Sequence, residues 1–257
     1  MFAVGGLRSN FMKRLYLLLC LLALIVLAVI FKPYVWAAIS PFAMKFMKAR
    51  TVAERVEQYG NAARSRLKPN FVRAGISYPP RQVTLVGLKT EKVLQVYAAD
   101  TGGAYRFIRS YQVRAASGEL GPKLREGDRQ VPEGVYPLES LNPNSRFHLA
   151  LRVGYPNAFD REQATKEGRT NLGGDIMIHG SSVSVGCLAM GDEAAEDLFV
   201  LAADTGLKKV TLILTPVDFR TGKALSKSDK LPVWTESLYA EIKTRLMELP
   251  LEKPNER

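Results

Sequence analysis

A cysteine, Cys187, stands eight residues after a histidine, His179, in the stretch Ile-Met-Ile-His-Gly-Ser-Ser-Val-Ser-Val-Gly-Cys-Leu-Ala-Met-Gly-Asp from Ile176 to Asp192. These types suit acyl transfer. A free thiol has a pKa of about 8.5 and is mostly protonated at neutral pH, and a neighbouring imidazole can take that proton and leave a nucleophilic thiolate. A loop of glycine and serine between them can fold back and bring the ring to the sulfur. Gly186 allows close approach of the backbone to a substrate carbonyl. The N–H groups of Gly186 and Cys187, just ahead of a helix, are the expected donors to a tetrahedral oxyanion. Ser184 is expected to bond the loop or the substrate. The same pair also fits a plainer arrangement, with a buried thiol and an ordinary histidine at a strand end. His148 is the competing base, because it lies opposite the apolar face of its own strand. A metal centre is disfavoured: the chain has two histidines and two cysteines, and the cysteines lack ligand spacing.

The elements that must position this pair are short. Val83, Leu85 and Leu88 mark a first strand, residues 93–97 a second, and residues 105–113 a third after the turn Asp100-Thr101-Gly102-Gly103. Phe147, Leu149, Leu151 and Val153 alternate with His148, Ala150 and Arg152, as in a strand with one apolar face. Residues 176–178 and 210–214 read as two more apolar strands. His179 thus ends a buried strand. Asp192 to Ala203 reads as a helix capped by Asp192, closed by Gly206, with Leu198 and Leu201 or Ala202 inward. Strands joined by Gly- and Pro-rich loops imply a mainly β domain, a sandwich or barrel with a few helices. Trp234, Leu238, Ile242 and Leu246 recur every four residues and imply a carboxy-terminal amphipathic helix, packed on the domain or on a partner.

Ahead of this lies a different texture. Residues 15–31 carry no charge and follow Lys13-Arg14, which fits a single membrane-spanning helix. Tyr34 and Trp36 suit the membrane interface. A retained anchor is favoured over a cleaved signal, because no good small-residue cleavage site follows the apolar core. Cys20 lies inside that run and cannot pair with Cys187. Residues 41–66 read as a helix or two, with Val52, Val56 and Tyr59 at helical spacing, and Gly75 with Pro79-Pro80 marks a connection. The organisation expected is a cytoplasmic terminus at 1–14, a transmembrane anchor at 15–36, a helical linker at 37–80, a catalytic domain at 81–216 and an extension at 217–257. The formal charge of +11 favours an anionic neighbour such as a membrane surface or an acidic polymer. Nucleic acid is the weakest candidate, since no zinc-finger spacing or RNA-binding signature is present.

Ile178-His179-Gly180 followed by Ser184-Val185-Gly186-Cys187 resembles the signature of the L,D-transpeptidase catalytic domain, or YkuD, family. Upstream, Ser117-Gly118, Gly121-Pro122, Gly127-Asp128 and residues 132–136 (Pro-Glu-Gly-Val-Tyr) resemble further blocks of that family in the same order. The wording is closest to the YafK-like murein transpeptidase subgroup. Many family members carry His where Val185 stands and Arg where Ala189 stands, and the missing Arg suggests altered recognition of a substrate carboxylate or acceptor. The resemblance implies a fold of L,D-transpeptidase type. It also implies that Cys187 attacks the carbonyl of the L-centre of meso-diaminopimelate in a tetrapeptide stem, releasing D-alanine, in cell wall remodelling. His179 would serve as base and then acid, its ring oriented by the Gly180 carbonyl. An amine or water would resolve the thioester, so a thiol-dependent murein hydrolase or amidase is the alternative. A non-catalytic, membrane-tethered wall-binding protein is a third reading. The partners implied are peptidoglycan peptide stems and, in hydrolytic members, a murein-linked lipoprotein. No metal or organic cofactor is implied. The location expected is the inner membrane, with the catalytic domain in the periplasm, or the periplasm itself if the signal is cleaved.

Overall fold

Strand alternation explains the architecture, because several strands bury both faces. In the computed structural model of the chain, residues 49–184, 186–223, 225 and 231–252 are described. They form a nine-stranded mixed sheet with four α-helices, in the strand order β3-β2-β1-β9-β5-β6-β7-β8-β4. The strands are β1 (Gln82–Leu88), β2 (Val93–Ala99), β3 (Arg106–Gln112), β4 (Ala115–Ala116), β5 (Gly134–Ser145), β6 (His148–Val153), β7 (Met177–His179), β8 (Leu188–Ala189) and β9 (Val210–Thr215). The helices are α1 (Val52–Ala74), α2 (Ala158–Lys166), α3 (Asp192–Thr205) and α4 (Thr235–Leu246).

The long β5 joins the two halves of the sheet. Its first part, Gly134 to Pro137, pairs with β9, and from Leu138 onward it pairs with β6. Both halves then face one core. Leu85, Leu94, Val96 and Ile108 from one half meet Leu149, Leu151, Ile178 and Leu188 from the other. The sheet-dominant fold with a few helices is as expected, and the two halves of the sheet share one core. On the opposite face of β1, β2 and β9, the residues Val86, Leu88, Tyr97 and Ile213 form a second core with Leu238, Ile242 and Leu246 of α4. The carboxy-terminal helix thus packs on the domain. Each such side chain contributes about 1.5–3 kcal/mol when fully buried.

Residues assigned from sequence to a linker belong to this core. Thr51 caps α1 through a capping box with Glu54, and Gly75, at φ 67°, ends it with N–H bonds to Phe71 and Val72 carbonyls. The helix continues through Pro69 and buries Gly60, Ala63, Leu67 and Phe71 on one face. Arg64 bonds Asp204 through two nitrogens at 2.8 and 2.7 Å, and Arg66 reaches the buried Asp197 at 2.8 Å, so α1 is clamped to α3. The expected break after Arg66 is absent because the apolar face runs on through Leu67 and Phe71.

One further expectation changes. The cap of α3 is Gly191, at φ 80° and with no side-chain cap bond. Asp192 instead accepts the Ser181 N–H at 2.7 Å, tying the loop after His179 to the start of α3. The expected membrane span at 15–36, with Cys20, lies outside the described residues. Among the described residues, no helix is long and apolar enough to cross a membrane.

Candidate active site

The site grows from the parallel pair β7 and β8, where Ile178 opposes Leu188 and His179 opposes Ala189. Ile178 and Leu188 point into the core. Alternation therefore puts Met177, His179 and Ala189 on the other face. Cys187, one residue before Leu188, falls on that same face when the alternation is continued. On the neighbouring β6, Arg152 opposes Met177 and Ala150 opposes His179, which adds Arg152 to the face.

His179 is held tightly. Its Nδ1 lies 2.6 Å from the Gly180 carbonyl oxygen, and its ring stacks on Phe147 at 4.7 Å between centroids. Gly180 has no room for a side chain: a Cβ there would lie 2.5 Å from Asp192 Oδ1 and 2.8 Å from the Phe147 carbonyl oxygen. Burial pushes the His179 pKa down, against a smaller upward pull from the bond to Gly180. That direction favours the neutral ring at neutral pH.

Cys187 is half-buried and free, with Sγ 3.7 Å from the Asp175 carbonyl oxygen. Burial pushes its thiol pKa up, and the Asp175 carboxylate adds to that rise. The Met177 N–H and the Lys123 ammonium act in the opposite direction. Lys123 is buried and ion-paired with Asp128. A raised thiol and a lowered imidazole both favour a neutral resting pair over a standing ion pair.

The loop entering Cys187 is held by two serines. Gly186, at φ 87°, donates its N–H to Ser117 Oγ at 2.5 Å, and Ser117 donates in turn to the Arg129 carbonyl. The Cys187 N–H donates to Ser184 Oγ at 3.0 Å, and the same hydroxyl donates back to the Cys187 carbonyl at 2.5 Å. The two N–H groups expected to be free for an oxyanion are thus both engaged by hydroxyls. Ser184 bonds the loop. Ser117 lies 69 positions before Gly186 and had no local signal, beyond its place in a family-like block.

His148 is bound elsewhere. Its Nε2 lies 3.0 Å from Glu196 on α3, and its ring meets Tyr59 of α1 edge-on at 5.0 Å. Of the two candidate bases, His179 is the one whose strand neighbours the Cys187 segment. Among the described residues, no cluster of His, Cys, Asp or Glu is arranged to hold a metal ion.

Residues 81–217 match the family YkuD, the L,D-transpeptidase catalytic domain, which is just over half of the chain. Over 113 residues the chain is 39% identical to the candidate L,D-transpeptidase YafK of Escherichia coli K12, a match spanning 43% of each protein. The chain thus covers less than half the length of that relative. Among solved structures it is similar to the helical cell shape determining protein Pgp2 of Campylobacter jejuni, at 22% identity and a TM-score of 0.43, covering 69% of this chain and 73% of that one. It is also similar to L,D-transpeptidase 1 of Mycobacterium tuberculosis, at 17% identity and a TM-score of 0.31, covering 52% of this chain and 62% of that one. With the family match spanning both strands of the site and the loop between them, the chain belongs to the L,D-transpeptidase catalytic domain family.

Proposed function

We propose that the chain is a peptidoglycan L,D-transpeptidase that works through a Cys187 thioester in cell wall remodelling. The orientation of His179 carries this reading. A carbonyl oxygen only accepts hydrogen bonds, so the nitrogen facing Gly180 at 2.6 Å bears the ring proton. Nε2 is left with its lone pair, and it has no hydrogen-bond partner among the described residues. It belongs to the residue that shares a strand face with the nucleophile.

The steps follow from those positions. Nε2 of His179 takes the Cys187 proton as the sulfur attacks the carbonyl carbon of the L-centre of meso-diaminopimelate. The carbon–nitrogen bond to D-alanine breaks, and His179 returns the proton to the leaving amine. An acceptor amine then attacks the thioester, gives its proton to His179, and releases the thiolate, which is reprotonated. The carbonyl oxygen takes over at least one N–H now bonded to Ser117 or Ser184. Rest as a neutral pair fits this order, since the proton moves only when substrate is present.

The substrate-facing domain works in the periplasm in this reading, anchored by residues 15–36. Its partners are peptide stems of the wall, and a murein-linked lipoprotein where the thioester meets other nucleophiles. The test is incubation of the full chain with defined tetrapeptide muropeptides, with products identified by mass. Release of D-alanine with a cross-linked product supports the reading. Release with only a shortened stem assigns hydrolysis instead. No release by folded protein contradicts catalysis and leaves a wall-binding role.

A further inference from the structure

The face that carries Cys187 and His179 also carries a pair of opposite charges. Asp175 Oδ1 lies 2.7 Å from Arg152 Nη1, and Arg152 Nε lies 3.0 Å from Glu139. The Asp175 carbonyl oxygen lies 3.7 Å from Cys187 Sγ. Arg152 opposes Met177 across β6 and β7, two residues from His179 on the same strand face. The charges thus flank the nucleophile and its base.

Stability does not explain the pair. Its side chains are 40% and 78% exposed, and such surface pairs contribute about 0–1 kcal/mol. Asp175 also sits at φ 56°, a conformation uncommon for residues other than glycine. Its carboxylate opposes thiolate formation at Cys187. An anion beside a thiol nucleophile is a handicap unless it meets a cation. Both groups keep open valences. Among the described residues, Asp175 Oδ2 and Arg152 Nη2 have no hydrogen-bond partner.

We propose that Arg152 and Asp175 form a substrate-binding subsite for an amino-acid head group that carries an ammonium and a carboxylate on one carbon. The guanidinium takes the carboxylate and Asp175 takes the ammonium. The inference rests on the transpeptidase reading and names how that site recognises its donor. Diaminopimelate linked through its L-centre ends its side chain in such a group, a short alkyl chain from the carbonyl that Cys187 attacks. Bound ammonium would also neutralise the anion that opposes thiolate formation.

Three donors test this: a tetrapeptide with free diaminopimelate, one with the D-centre carboxylate amidated, and one with the D-centre amine acetylated. The rate constant kcat/KM for D-alanine release is measured for each. The wild type should prefer the free donor by about ten- to a hundredfold over either modified one, the range of a hydrogen bond to a charged group. Asp175→Asn should lose its preference against the acetylated donor alone. Arg152→Met should lose its preference against the amidated donor alone. Equal use of all three donors by the wild type overturns the subsite and leaves the transpeptidase reading standing. An equal drop across donors in both variants overturns it too, since a merely structural role gives that result. No release from any donor overturns both readings.

Discussion

His179 and Gly180 are neighbours in sequence, and the Nδ1 of one meets the carbonyl oxygen of the other at 2.6 Å. One short contact fixes the tautomer, the ring plane and the nitrogen available for chemistry. Replacing His179 with alanine should therefore lower the rate of Cys187 acylation by about 10²–10⁴, the usual range for general base catalysis. Single-turnover acylation with a carbapenem, followed by intact mass, measures it. A rate within a few-fold of wild type, in folded protein, would mean that another group takes the proton.

Gly180 has a stricter requirement than its neighbours in the loop. An added Cβ would meet Asp192 Oδ1 at 2.5 Å and the Phe147 backbone oxygen at 2.8 Å. Backbone cannot give way as a flexible side chain does. Gly180→Ala should destabilise by about 1–3 kcal/mol, as overpacking does, and should slow acylation further by turning the His179 ring. Denaturant midpoints and acylation rates on the same sample separate the two effects. An alanine variant with unchanged stability and rate would show that the loop can move aside.

The resting pair should be neutral, and pH can show it. Burial and Asp175 raise the Cys187 thiol, while Lys123 and the Met177 N–H only partly oppose them. Burial lowers His179, so it is not the cation that would reverse this. Alkylation of Cys187 by iodoacetamide, without substrate, should keep rising at pH values above the ordinary thiol midpoint of about 8.5. Asp175→Asn removes one upward push, so its midpoint should be lower than that of the wild type. Peptide mapping keeps Cys20 out of the measurement. A wild-type plateau already reached near neutral pH would indicate a standing thiolate–imidazolium pair.

Leu198 of α3 is 2% exposed within the main core. Leu198→Asp should unfold the domain, because an unpaired buried charge costs several kcal/mol against a total of about 5–15. Leu198→Ala should cost about 2–5 kcal/mol and leave the fold in place. Thermal melts of both variants check the helix face. An aspartate variant melting with the wild type would place Leu198 at the surface.

The parts readable from sequence are those where one physical signal dominates. Alternation in β6 and the apolar runs of β1, β2, β7 and β9 announce strands, and the four-residue spacing of Leu238, Ile242 and Leu246 announces α4. The long β5 was hidden because Pro137 and Pro143 interrupt it and its outer positions are polar. α2 was hidden because its buried positions include Asp160 and Gln163, so it has no apolar stripe. α1 seemed to stop near Arg66 because Pro69 reads as a breaker, yet Phe71 is still buried beyond it. At the site, His179, Ser184 and Cys187 were legible as candidates from residue type and spacing, and Gly180 from the family resemblance. Ser117 and Asp175 were not, since one bonds Gly186 through the fold and the other meets the thiol through its main-chain oxygen. Contacts made by backbone atoms leave little trace in residue type.

The central claim is that the Cys187 sulfur becomes covalently acylated. The direct measurement is mass spectrometry of the full chain after incubation with a tetrapeptide donor or a carbapenem, followed by peptide mapping. The account predicts one added acyl mass on the peptide containing Cys187. In folded Cys187→Ala it predicts no adduct and no D-alanine release, because alanine has no lone pair for attack. Turnover that persists in folded Cys187→Ala, or an adduct that maps to another residue, would contradict it.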